Sequence, residues 1–132
     1  MNRDAIKQDF LSALETGRTQ KAAAAQSEAE AYAKARTRYA ALWAAVKAWD
    51  EAIRDRVEGA AVRFLFEKVS RDGTVTGRIS ASRPGRAALN LNFQISGGQI
   101  ATTIGINRRV DEVRKLDELI TALQKAIVDY YV

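Results

Sequence analysis

From Gln20 to Glu58 the chain contains neither Pro nor Gly, and at Gly59 its apolar pattern changes from a helical repeat to strict alternation. No single fold element accommodates both periods, so the chain must combine helix with sheet. Before the switch, thirteen of the 27 residues from Ala22 to Ala48 are Ala, the residue that loses least on entering a helix. Tyr32, Tyr39, Val46 and Ile53 recur every seven residues, and Ala35, Leu42 and Trp49 follow three later, giving an a/d-like seam. The spacing predicts one helix of roughly 60 Å. Ahead of it, Asn2 is expected to cap a short helix ending near Leu14, with Ile6, Phe10 and Leu14 on one face. Thr16-Gly17-Arg18-Thr19 is expected to end that helix and to cap the next.

After Gly59, Val62, Phe64 and Phe66 alternate with Arg63, Leu65 and Glu67, and Val75 and Ile79 with Thr76, Arg78 and Ser80. Leu89, Leu91, Phe93 and Ile95 then alternate with Asn90, Asn92, Gln94 and Ser96, and Ile100, Thr102, Ile104 and Ile106 with Ala101, Thr103 and Gly105. Short turns at Arg71-Asp72-Gly73, Arg83-Pro84-Gly85-Arg86 and Gly97-Gly98 separate the runs. The expected sheet is a four-stranded antiparallel meander. Asn107 is expected to cap a last helix with an apolar stripe of Val113, Leu116, Ile120, Leu123, Ile127 and Tyr130. The expected fold is α+β in a single domain, 1–132: a helical region over 1–58, a sheet over 60–107 and a C-terminal helix over 108–131 packed on one sheet face.

Two-layer packing would roof the apolar side of the sheet and leave the other side open. Alternation assigns Arg63, Glu67, Arg78, Ser80, Asn90, Asn92, Gln94 and Thr103 to the open side, and Phe64, Phe66 and Phe93 to the covered side. A merely solvated antiparallel face carries the same alternation, but two Asn and a Gln along one strand run against strand propensity. The long helix should overhang a sheet about 30 Å across. Tyr32, Tyr39, Leu42, Trp43 and Val46 fall in or near that overhang, so a homodimer through these residues is expected, with an intramolecular helical hairpin as the other arrangement.

Catalytic chemistry has little to draw on. Cys and His are absent, which removes thiolates, the commonest metal ligands and the commonest general base. No phosphate-cradling Gly-rich motif precedes a helix. The carboxylate pairs Asp50-Glu51, Asp111-Glu112 and Asp117-Glu118 sit among cations on amphipathic helices, an ordinary solvated pattern. The expectation is a protein that is not an enzyme and takes no cofactor or metal. The first residues lack the apolar run of a signal peptide, and no apolar stretch reaches membrane-spanning length. A cytoplasmic location without membrane attachment is expected, in keeping with the missing Cys.

Charge points to a function. The formal net charge is +5, yet residues 1–59 carry only +1 and 109–132 carry −1. Residues 60–108 carry +5, and six of their seven cations are Arg, the side chain best suited to bidentate phosphate contacts. The leading expectation is nucleic-acid binding through the polar sheet face by Arg63, Arg78, Arg83, Arg86, Asn90, Asn92 and Gln94, with Arg83 and Arg86 gripping phosphates from a hairpin tip. The order of four meandering strands and a helix over Ala60–Val132 resembles the Whirly and PUR-type single-strand binders, a likeness of topology that implies a nucleic-acid-binding sheet. Those sheets expose aromatics for base stacking; with Phe64, Phe66 and Phe93 assigned inward, duplex or backbone binding is the version expected here. The alternative is a protein-binding inhibitor or adaptor of a bacterium, phage or mobile element. The long Ala-rich helix, small size and lack of a catalytic set resemble the profile of phage anti-defence proteins, anti-CRISPR proteins among them. Abundant Ala and Arg with only seven Lys fit a bacterial source of high GC content or its phage.

Overall fold

In the computed structural model, residues 2–105, 107–109 and 112–132 are described, with side chains other than those of 107–109, 112 and 113. Helices α1 (Arg3–Arg38) and α2 (Ala40–Arg56) precede strands β1 (Ala61–Val69), β2 (Val75–Arg83), β3 (Arg86–Ser96), β4 (Gln99–Thr102) and β5 (Asn107–Arg109), and α3 (Glu112–Tyr131) ends the chain. The strands form one antiparallel sheet in sequence order. The four-strand meander is as the alternation implies, and the short β5 adds to its β4 edge. No helix among the described residues is long and apolar enough to cross a membrane.

The helical region differs from expectation. Asn2 does cap α1, its Oδ1 accepting from the Asp4 N–H at 3.0 Å. The helix then runs through the expected break at 16–19 and stops at Tyr39 instead. One Gly in a helix interior costs only about 1 kcal/mol, too little against strong helix formers on both sides. Thr19 is no cap: its Oγ1 donates to the Glu15 carbonyl one turn back, at 3.0 Å. Tyr39 leaves the helical conformation at φ −110°, ψ 30°, in a stretch without Pro or Gly. Its N–H still reaches the Ala35 carbonyl, and its own carbonyl accepts from Leu42. The interruption lies where the chain settles onto the sheet: Ala35, Tyr39, Leu42, Trp43 and Val46 are all buried.

Cross-strand register defines the covered side as four rungs: Val62–Ala81–Leu89, Phe64–Ile79–Leu91, Glu67–Gly77–Phe93–Thr102 and Val69–Val75–Ile95–Ile100. Helix α2 lies on β1, and α3 lies on β3, β4 and α2. Leu116, Leu119, Leu123 and Ile127 of α3 complete the core. Each fully buried aliphatic side chain there contributes about 1.5–3 kcal/mol. Two polar links fix α2: Asp50 Oδ1 accepts the Val62 N–H at 2.9 Å, and Trp49 Nε1 donates to Gln124 Oε1 at 3.1 Å.

The expected alternation through Ile106 and the expected Asn107 cap give way to a second reversal. β4 ends at Thr102, Gly105 takes φ +93°, and Asn107–Arg109 pairs back onto β4. The last helix therefore starts at Glu112 rather than 108. Ile106 lies outside the described residues, as does the Val113 side chain of the proposed stripe. Gly97 and Gly98, at φ +55° and +76°, make the expected two-residue turn, a conformation that side chains resist.

Gly77 is required on the inner side for a different reason. A Cβ there would stand 2.5 Å from the Phe93 ring, which is itself buried and has nowhere to go. Gly77→Ala should overpack this rung and lower stability by about 1–3 kcal/mol, read from the midpoint of urea unfolding. An unchanged midpoint would show that the ring does not lie over Gly77.

Candidate nucleic-acid interface

The open side of the sheet is set by an irregularity in β1. Phe64 pairs with Ile79 and Phe66 with Arg78, so Leu65 is an extra residue with no partner on β2. A bulge of this kind reverses which face every later side chain occupies. Phe66, expected under the helices, is instead 50% exposed on the open side. Glu67, expected on the open side, turns inward. Arg63, ahead of the bulge, stays outside, and Lys68, after it, is brought outside with Phe66.

Three rungs result on the open side: Arg63–Ser80–Asn90, Phe66–Arg78–Asn92 and Lys68–Thr76–Gln94. Thr103 flanks the second, its Oγ1 accepting from the Asn92 N–H at 3.4 Å. Ser80 is nearly covered between longer neighbours. Arg78 Nε donates to Asn92 Oδ1 at 2.7 Å, which holds the guanidinium across the middle of the face and leaves its two Nη groups without a hydrogen bond among the described residues. Thr76, Asn92, Gln94, Ala101 and Thr103 line a shallow depression of about 240 Å³ beside it. Among the described residues these rungs carry three cations and no carboxylate. Beyond the inward Glu67, the next acid along the chain, Asp72, is held in its own turn by the Ser70 hydroxyl and the Thr74 N–H. Those donors keep its carboxyl below the usual carboxylate range.

The inward Glu67 is the polar residue of β1 that alternation misplaced. Its two carboxylate oxygens accept from the Tyr32 hydroxyl of α1 and from Trp43 Nε1 of α2, the latter at 2.6 Å. Arg36 lies over the Trp43 ring at 4.9 Å. One carboxylate thus ties both N-terminal helices to the edge strand. Accepting from Tyr32 raises the phenol's pKa, with burial adding to the effect.

Two further expectations are corrected. Arg83 and Arg86 do flank the β2–β3 turn, but Arg83 Nη1 donates to the Tyr131 carbonyl at 3.4 Å and Arg86 Nη1 to the Tyr130 carbonyl. Arg86 also stacks over the Tyr130 ring at 5.5 Å. Cations at the last carbonyls of a helix offset its negative end, so this pair secures α3 and does not join the open face. The Tyr131 hydroxyl reinforces the same corner, its one proton shared between the Ser82 and Ala61 carbonyls at 2.9 and 3.1 Å, and burial raises its pKa. The five residues expected at a dimer seam belong to this chain's own interior: Tyr39, Leu42, Trp43 and Val46 are buried in the core, and Tyr32 packs against it. The seam periodicity marked the face α2 turns to its sheet.

Elsewhere, an apolar groove of about 550 Å³ runs between α2 and α3, with Trp49, Ile53, Ile127 and Tyr131 in its walls. Among the described residues no three of Asp, Glu, Cys or His converge as a metal site would require.

Removing the Glu67 carboxylate leaves two donors facing the helix–sheet seam. Glu67→Ala should lower stability by about 1–3 kcal/mol, measured by chemical denaturation. The Tyr32 contribution has a defined pH window. A phenol whose pKa is raised on folding stabilises fully below its ordinary value of 10.0, and the contribution is lost as pH rises through the folded value. Tyr32→Phe should therefore be less stable at neutral pH and show a shallower decline above pH 10; parallel curves for the two proteins would refute the link. No family model matches this chain, and neither a curated protein nor a solved structure matches it.

Proposed function

We propose that the protein binds nucleic acid, without catalysing a reaction, through the three open rungs of its sheet. The observation that carries this reading is a face holding, among the described residues, Arg63, Lys68 and Arg78, no carboxylate, and an exposed Phe66 beside Arg78. Cations on a face free of acids attract a polyanion and release its counterions. The exposed Phe66 ring offers a base a stacking platform. Asn90, Asn92 and Gln94 supply amide donors and acceptors for base edges and sugars. An aromatic on the face favours single strands over duplex, since a base must leave its stack to lie on a ring. Arg83 and Arg86 take no part.

The setting fits the same reading: with no Cys to oxidise, the cytoplasm of a bacterium, or of a bacterium carrying its phage, is the compartment we propose. A second reading, a protein-binding inhibitor or adaptor, is favoured by the uncovered apolar residues in the first half of α1. Pull-down with and without nuclease separates the two, because a protein retained after nuclease supports the second.

Fluorescence anisotropy with a labelled mixed-sequence single-stranded oligonucleotide tests the first. Binding at low salt should weaken with a log–log slope of about −2 if three phosphates are neutralised. Arg63→Glu combined with Arg78→Glu should abolish it while leaving the circular dichroism spectrum intact. Phe66→Ala should weaken it about five-fold or more, the range expected for one lost stacking contact. No anisotropy change at low salt, or an affinity indifferent to salt, would overturn the proposal.

A further inference from the structure

The N-terminal half of α1 projects beyond the sheet; Ser27 and Glu30 already border the β1–β2 turn at Arg71–Gly73, and the first side chains packed against the core are Ala31 and Tyr32. Four large apolar side chains crowd the projecting part: Ile6 is 52% exposed, Phe10 62%, Leu11 55% and Leu14 42%. Ile6, Phe10 and Leu14 form a stripe, and Ala13 and Gly17 lie beside it at helical spacing. Phe10, Ala13, Leu14 and Gly17 border a shallow hollow of about 370 Å³.

The charges along this stripe identify what covers it. One flank reads Asp4, Lys7, Leu11, Glu15, Arg18, at steps of three, four, four and three residues, so all five share one edge of the helix. The sequence of signs is negative, positive, neutral, negative, positive. It is symmetric in position about Leu11 and opposite in sign. A two-fold axis through Leu11 would bring this flank against itself in a second, antiparallel helix. Asp4 would then face Arg18, and Lys7 would face Glu15, each pair occurring twice. A parallel, in-register pair would set this flank against the other flank of its partner, Ala5, Asp9, Thr16 and Gln20, where the four charges find a single acid. Among the described residues none of the four enters an ion pair within its own chain. The other flank carries Ala5, Asp9, Thr16 and Gln20, a single charge.

We infer that the projecting half of α1 is a self-association surface on which a second copy of this chain lies antiparallel, with the two-fold axis at Leu11. Ile6 of the second copy would then lie over Ala13 and Gly17. A Cβ at Gly17 meets nothing within 4 Å in this chain, so this glycine leaves the space that the second helix enters. The inference gives a role to the glycine that the helix carries in its interior. It also replaces the seam of Tyr32, Tyr39, Leu42, Trp43 and Val46, which packs on the sheet. The sheets of the two copies stand roughly 60 Å apart, at opposite ends of the paired helices.

Charge reversal tests the arrangement in the full-length chain by sedimentation velocity. The wild type should be a dimer at micromolar concentration. Lys7→Glu sets two acids against each other and Glu15→Lys two bases; each alone should raise the dimer Kd by about ten-fold or more. An equimolar mixture of the two variants should form a heterodimer, because the carboxylate introduced at position 7 of one copy then meets the ammonium introduced at position 15 of the other. Effects confined to a single helix would not be repaired by mixing. The chain has no Cys, so Leu11→Cys offers a second readout. It should crosslink to itself under oxidation, and Ser12→Cys, on the side of the helix turned away from the apolar stripe, should not. A wild-type monomer at high micromolar concentration would overturn the inference, as would a dimer indifferent to both charge variants or variants that stay monomeric on mixing. Loss of nucleic-acid binding in the open-face variants with the dimer intact would leave it standing, since the two surfaces are separate.

Discussion

One unpaired residue in an edge strand decides the character of this protein's surface. Leu65 bulges out of β1, and from that point the strand shows its other side. Were the pairing regular, Glu67 would stand between Arg63 and Arg78, and Phe66 and Lys68 would be under the helices. The bulge reverses all three. A carboxylate moved inward is costly unless it is paired, and Tyr32 and Trp43 pair both of its oxygens. The same bonds that make the inward turn tolerable fasten α1 and α2 to the sheet. Fold stability and the sign of the open face are thus consequences of one local geometry.

The remaining cations of the basic segment divide by task. Arg83 and Arg86 lie against the last carbonyls of α3, while Arg63, Lys68 and Arg78 have no carboxylate beside them in the rungs of their face among the described residues. Position relative to the helices, not residue type, separates a structural arginine from one available to a ligand. Arg78 makes the distinction visible: its Nε is held by Asn92, which orients the guanidinium without neutralising it. An oriented, unneutralised cation next to an exposed ring combines phosphate attraction with a stacking surface.

Much of this was legible in the chain. The alternation from Leu89 to Ser96 gave β3 its faces without ambiguity, because polar and apolar residues change places at every step. The Gly97-Gly98 and Pro84-Gly85 turns followed from backbone preference, and the Asn2 cap from its side chain. The misses have physical reasons. Phe64-Leu65-Phe66 is an unbroken apolar run, so it carries no phase and cannot reveal an inserted residue. Gly17 is a weak breaker whose cost is outweighed by its neighbours. The interruption at Tyr39 falls where the chain packs on the sheet, and no Pro or Gly marks it in the sequence. The heptad of Tyr32, Tyr39 and Val46 is equally a seam for another helix or a face for a sheet; spacing does not tell which. Arg83 and Arg86 looked free because the helix end that occupies them lies more than forty residues away.

The central claim is that the face turned outward by the bulge is the working surface. Backbone amide shifts of isotope-labelled protein, followed while a single-stranded oligonucleotide is added at low salt, test it most directly. The account predicts that the largest changes cluster on Arg63, Phe66, Arg78, Asn92 and Gln94, leaving the N-terminal half of α1 and the Arg83–Arg86 corner unmoved. Changes concentrated on α1 or in the groove between α2 and α3, or none anywhere, would contradict it.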